Sequence, residues 1–187
     1  MSAQFGEDQW LLDNLILPKR GVFVDIGCGH PVEMSNTAVF RELGWSGVAV
    51  DANPQWAEAW TTQAPEHPFE LAVVSSIPRV RFEILEDPLA SKVNPLGTAP
   101  MVSTVPLSDI LDHHGINRID LLSVDVEGHE LEVLQSLDWG RSWPKVIICE
   151  YRTYDVMDFS AVNFLVAVIG YNLVHCTPCN FILTTHN

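Results

Sequence analysis

The stretch FVDIGCGHPVEMSNT, residues 23–37, runs from an apolar β-type segment into a carboxylate, Asp25, and then breaks at Gly27-Cys28-Gly29. Two glycines directly after a buried strand let the backbone approach a ligand closely, as a nucleotide-binding loop requires. A dinucleotide site would add a third glycine three positions on, where this chain has Val32 preceded by Pro31. Farther along, SGVAVD (residues 46–51) is a second apolar run that ends on an acid, and Asp51 is placed to accept ribose hydroxyls. That pairing suits NAD or S-adenosylmethionine alike. Asp25 separates them, because a carboxylate is unfavourable beside a pyrophosphate yet can pair with the ammonium of a methionine moiety. Pro31 then fits as a residue entering a helix.

Working outward, helices and strands alternate. An amphipathic helix is expected over Glu7–Leu17, stopped by Pro18, and a second over Ser35–Leu43, ended by Gly44. Pro54 opens a third. FELAVVS (69–75) reads as strand three, and RVRFEIL (79–85) alternates as a half-exposed strand. Residues 86–103 carry three prolines and no periodicity, so they read as a long loop closing over an acceptor. A helix near Leu107–His113, the strand of IDLLSVDVEGHE, a helix with Leu131, Leu134 and Leu137 inward, the strand KVIICEY, a helix over Ala161–Ile169 and a closing hairpin complete the pattern. Such alternation predicts an α/β fold with a mostly parallel sheet covered by helices on both faces, with ligands bound at the C-terminal strand edge.

Composition narrows the function. The chain has 187 residues, nearly half of them apolar, which suffices for one core and one domain spanning 1–187. Ten basic against twenty-four acidic residues give a net charge of −14, which argues against a nucleic-acid partner. No apolar run reaches about eighteen residues and the first residues lack a basic leader, so no membrane association and a cytoplasmic location are expected. Cys176-x-x-Cys179, with His175 and His186 nearby, is better read as a hairpin turn than as a zinc site, since no second pair accompanies it.

Four strand ends on one edge then carry acids: Asp25, Asp51, Asp125 with Glu127, and Glu150. If the backbone stays extended beyond Asp125, then Asp125, Glu127 and His129 all point into the cleft. Two roles compete for them: a general base that takes the proton of a hydroxyl, or, for Asp125, Glu127 and Glu150, ligands of a divalent cation such as Mg²⁺.

FVDIGCGHPVEMSNTAVFRELGWSGVAVDANP, followed downstream by IDLLSVDVEGHELEVLQSLDW and VIICEY, resembles the FkbM family of S-adenosylmethionine-dependent methyltransferases. Ser35-Asn36-Thr37, Gly44-Trp45-Ser46-Gly47, Asp51-Ala52-Asn53-Pro54 and Asp125-Val126-Glu127-Gly128 carry the resemblance. It implies a class I methyltransferase fold, a Rossmann-like seven-stranded sheet whose last strand runs antiparallel, and O-methylation of a small-molecule hydroxyl acceptor, foremost a sugar. By position, Asp25, Gly27, Cys28 and Gly29 would line the methionine and ribose. Asp51 with Ala52 would hold the ribose, Ala72 and Val73 would flank the adenine, and Ser35 and Asn36 would touch the donor's amino-acid end or the acceptor. Asp125 would border the donor, and Asp125, Glu127, His129 and Glu150 would form the catalytic group. Trp45, Tyr151, Arg152 and Tyr154 are candidates for sugar recognition, although Trp45, at a helix-to-strand turn, is better read as core. A donor-binding module without turnover and an NAD-dependent oxidoreductase are the alternatives.

Overall fold

A computed structural model describes residues 3–153 and 156–185. The strands that build its centre are β1 (Val22–Ile26), β2 (Ser46–Asp51), β3 (Phe69–Leu71), β4 (Leu121–Val124), β5 (Val146–Glu150), β6 (Asn172–Cys176) and β7 (Asn180–Thr184). They lie in the order β6-β7-β5-β4-β1-β2-β3. Pairings among β1 to β5 are parallel, while β7 runs antiparallel to both β5 and β6. This is the architecture the strand–helix alternation predicts.

Side-chain alternation along the central strands assigns the two faces. Val24, Ile26, Leu122, Val124, Ile147 and Cys149 pack against α4 (Leu107–His113), α5 (Glu130–Gln135) and α6 (Ser160–Asn163). Phe23, Leu121, Val146 and Ile148 pack the opposite way, against Leu11 of α1 (Glu7–Asn14) and Phe40 of α2 (Ala38–Glu42). Asp25 and Ser123 share this second parity and are register neighbours. A polar pair is thereby placed inside an otherwise apolar layer, and both residues are buried.

Several boundaries differ from the sequence expectations. The first helix ends at Asn14, because Leu15 is already extended. The second begins only at Ala38, so Pro31 does not open it. Instead His30 Nδ1 accepts the backbone N–H groups of Val32 and Glu33, and a side chain supplies the turn that a helix start was expected to supply. Strand three stops at Leu71, and Pro54–Trp56 form a 3-10 turn ahead of α3 (Ala57–Gln63).

The largest change is at residues 86–103. Arg79–Glu83 is the middle strand of a small antiparallel sheet flanked by Lys92–Val93 and Met101–Ser103, and Pro88–Ala90 forms a 3-10 turn. Strands of two or three residues are too short to leave a period-2 signature, which is why prolines alone read as a loop.

Candidate active site

The glycine loop closes the C-terminal end of β1. Gly27 has φ 75°, and a Cβ there would lie 1.6 Å from the carbonyl oxygen of Asp125, so only glycine lets the β1 and β4 exits approach this closely. Gly27 and Cys28 both donate their backbone N–H to Val50 O. Gly29 is held from two sides: its N–H donates to Asp51 Oδ2 at 2.9 Å, and its carbonyl accepts from Trp60 Nε1 at 2.8 Å. The other oxygen of Asp51 accepts from Asn53 N at 2.8 Å. Each carboxylate oxygen keeps a further acceptor site. Burial pushes Asp51 up to about 6, against the backbone hydrogen bonds that oppose the shift.

Beside this loop lies a cavity of about 550 Å³, within the range of small-molecule and cofactor sites. Gly27, Cys28, Gly29, Asp51, Ala52, Ala72 and Val73 line it, together with Asp125, Glu127, His129 and Glu150. The Cys28 thiol packs with Ala49, Trp60 and Ala64, and burial raises it well above the usual range, so it is not a nucleophile.

Asp25, Ser35 and Asn36 are not brought to the cavity wall. Their place follows from the strand parity: Asp25 faces the α2 side, where the Thr37 hydroxyl donates to its Oδ2 at 2.6 Å. Asn36 donates to Ser123 Oγ at 3.2 Å, and Ser35 Oγ accepts from Thr37 N. Desolvation raises Asp25, and Thr37 and the Arg41 charge partly offset it. The Ser-Asn-Thr element is thus a buried polar clasp that fastens the loop exit to the sheet.

Beyond β4 the chain does not stay extended. Glu127 has φ 59° and Gly128 has φ 98°, so the turn breaks the alternation that an extended backbone would have imposed on Asp125, Glu127 and His129. His129 Nε2 lies 2.9 Å from Ser75 Oγ and its Nδ1 3.4 Å from Glu132 Oε2, and burial lowers its pKa. Glu130 Oε1 accepts the N–H groups of Val126 and Gly128, which stabilises the turn at the start of α5.

The three carboxylates that do meet are Asp125, Glu127 and Glu150, each with an oxygen within 4.8 Å of the others. Asp125 and Glu150 hydrogen-bond to one another. Burial and the neighbouring negative charges push Asp125 up to about 7 and drive Glu150 higher still, so the pair holds a proton at neutral pH. Glu127 is raised to about 7, by desolvation first and then by Glu130, with Lys92 pulling it back. Its Oε2 is buried with no hydrogen-bond partner.

A family model described as Methyltransferase FkbM domain matches residues 25–173. The chain belongs to the FkbM methyltransferase family. No curated protein matches it significantly in sequence. Among solved structures, a TehB-like SAM-dependent methyltransferase from Corynebacterium glutamicum ATCC 13032 Kitasato superposes with a TM-score of 0.53 at 12% identity, covering 98% of this chain and 89% of that one. At that identity the likeness concerns the fold, which is the class I methyltransferase architecture. Among the described residues, no helix of this FkbM protein is long and apolar enough to cross a membrane.

Other residues line this cavity without having stood out in the sequence. Asp87, Pro88, Leu89, Ser91 and Val93 give one stretch of its wall, and Gln4, Phe5, Glu33 and Met34 line it too. Asn53 Nδ2 donates to Pro88 O and Ser91 Oγ, both at 3.2 Å, and so links the Asp51 turn to that wall. Asn53 belongs to the Asp-Ala-Asn-Pro step, where its capping of Gln55 N would have masked the second role. Of the sugar-recognition candidates, Trp45 is core, 4.8 Å from the Phe40 ring, and Tyr151 stacks on Phe181 at 4.1 Å. Arg152 lines the cavity, whereas Tyr154 lies outside the described residues. Cys176 and Cys179 border the β6–β7 turn and His175 stacks on Trp10, while His186 lies outside the described residues.

Proposed function

We propose that this protein is an S-adenosylmethionine-dependent O-methyltransferase that methylates a hydroxyl of a small molecule, foremost a sugar. The observation that carries the reading is one cavity lined both by the glycine loop with Asp51 and by three converging carboxylates. Asp51 would take the ribose hydroxyls on its free acceptor sites, and Ala52, Ala72 and Val73 would border the adenine. Methyl transfer to an alcohol is an in-line displacement, so positioning alone can supply ~7–11 kcal/mol of the barrier. The hydroxyl must also lose its proton. Glu127 suits that step, because its pKa of about 7 matches neutral pH and its Oε2 is unpartnered. The Asp125–Glu150 pair, already carrying a proton, would hold a second acceptor hydroxyl. Glu33, Asp87 and Arg152 beside Phe5 and Trp56 offer polar and aromatic contacts of the kind a sugar uses.

The unpartnered Glu127 oxygen favours a second reading for the same trio. Asp125, Glu127 and Glu150 would hold Mg²⁺, which when bound would acidify the acceptor hydroxyl. A screen of sugars and nucleotide sugars for S-adenosylhomocysteine release, run with and without EDTA, tests both. Product insensitive to EDTA supports Glu127 as base, EDTA-sensitive product supports the cation, and no product with any hydroxylated acceptor refutes O-methylation.

A further inference from the structure

Away from the cavity, Glu70 on the edge strand β3 meets two consecutive histidines, His113 and His114, at the end of α4. His114 Nε2 is 2.7 Å and His113 Nδ1 is 3.5 Å from the same oxygen, Glu70 Oε2. Neighbouring residues within a helix point about 100° apart and do not converge on one atom. These two do, because His114 leaves the helix at φ −91°, ψ 2° and Gly115 then turns through φ 65°. Their rings stand 4.7 Å apart at 38°. We propose that Glu70, His113 and His114 form a binding site for a borderline divalent metal ion of the zinc type, unrelated to methyl transfer.

Two imidazoles and one carboxylate are a donor set suited to zinc and unsuited to magnesium or calcium, which take oxygen ligands. Ligand atoms bound at about 2.0–2.2 Å in a tetrahedron lie roughly 3.3 Å from one another. The His113–Glu70 separation of 3.5 Å is already near that value. The His114–Glu70 separation of 2.7 Å is a hydrogen bond, and it opens by about 0.6 Å when the metal replaces the shared proton. The His113 side chain is 72% exposed, so solvent can reach the cluster to supply a fourth ligand. A bound ion would tie α4 to the sheet edge that leads directly into Ala72 and Val73.

The test uses full-length protein stripped by a chelator, then titrated with Zn²⁺ against a chromophoric competitor, and with Co²⁺ for its visible absorption. One equivalent should bind in the wild type, in Glu127→Gln and in Cys176→Ser/Cys179→Ser. Affinity should fall more than about tenfold in Glu70→Gln and His114→Ala, since even residues that only support a ligand are worth about 10–100-fold. His113→Ala, altered at a side chain 72% exposed, should fold normally and lose affinity as well. No binding by the wild type, equal affinity in the His113→Ala/His114→Ala double variant, or loss in the cysteine variant would overturn the proposal.

Discussion

Replacing Asp51 by Asn tests the donor half of the site with little change of shape. The wild-type carboxylate holds Gly29 N and Asn53 N at 2.9 and 2.8 Å and has one acceptor site per oxygen left for ribose hydroxyls. The amide keeps one accepting oxygen, so one of the two bonds is lost, and hydrogen bonds to a charged group contribute about 1.5–3 kcal/mol each. That is roughly 10–150-fold in dissociation constant. The pH dependence sharpens the test. Asp51 titrates near 6, so the accepting, ionised form is about tenfold scarcer at pH 5 than at pH 7. Wild-type affinity for S-adenosylhomocysteine, measured by calorimetry, should therefore rise about tenfold from pH 5 to pH 7, whereas Asp51→Asn should be weak and flat. A variant within about threefold of wild type at pH 7, with its melting temperature unchanged, would show that the ribose is held elsewhere.

Glu127→Gln should leave donor affinity unchanged and slow turnover about 10²–10⁴-fold, read by single-turnover product formation. Asp125→Asn should change stability with a definite sign. The folded pKa of Asp125 is raised above the unfolded value, so wild-type stability falls as pH rises from about 4 to 7, and urea titrations of the variant should show a shallower fall, the remainder coming from Asp51, Glu127 and Glu150. Trp60→Phe removes the donor to Gly29 O and should cost about 1–3 kcal/mol while weakening the donor, because a buried carbonyl loses its partner. Asp120 lies under Arg118 and Lys145 and caps Val22 N, which holds its carboxyl below the usual range. Its contribution is present above the unfolded pKa and lost as pH falls, so Asp120→Asn should destabilise at pH 7 and converge with wild type in acid.

The central strands are legible in the sequence because buried parallel strands are short apolar runs, and VFVDI and SGVAVD are bounded by glycines and terminal acids. Side-chain parity is the part that the apolar runs conceal. Alternation puts Asp25 with Phe23, on the α2 side; Asp51 shares that parity through Ala49, the register partner of Asp25, but lies two residues farther on, at the strand end where the glycine loop meets it. Likewise the spacing of Asp125, Glu127 and His129 presumes an extended backbone, whereas a left-handed Glu127 sends His129 to Ser75. A non-glycine residue in that conformation leaves no mark in sequence. Nor does Glu150, expected to complete the catalytic group, disclose that it hydrogen-bonds Asp125, since the pairing of β5 with β4 fixes it.

Glu7 of α1 is fully buried, and its Oε1 accepts from the Thr177 hydroxyl at 2.8 Å and from Asn180 Nδ2 at 2.9 Å. Those partners are 170 and 173 residues away, so the bond joins the first helix to the final hairpin. Closing so long a loop is among the least local steps in folding, which places it late on the pathway. Substituting Glu7 should accordingly speed unfolding far more than it slows folding, and the β6–β7 hairpin should be the first region of the sheet to exchange its amide hydrogens.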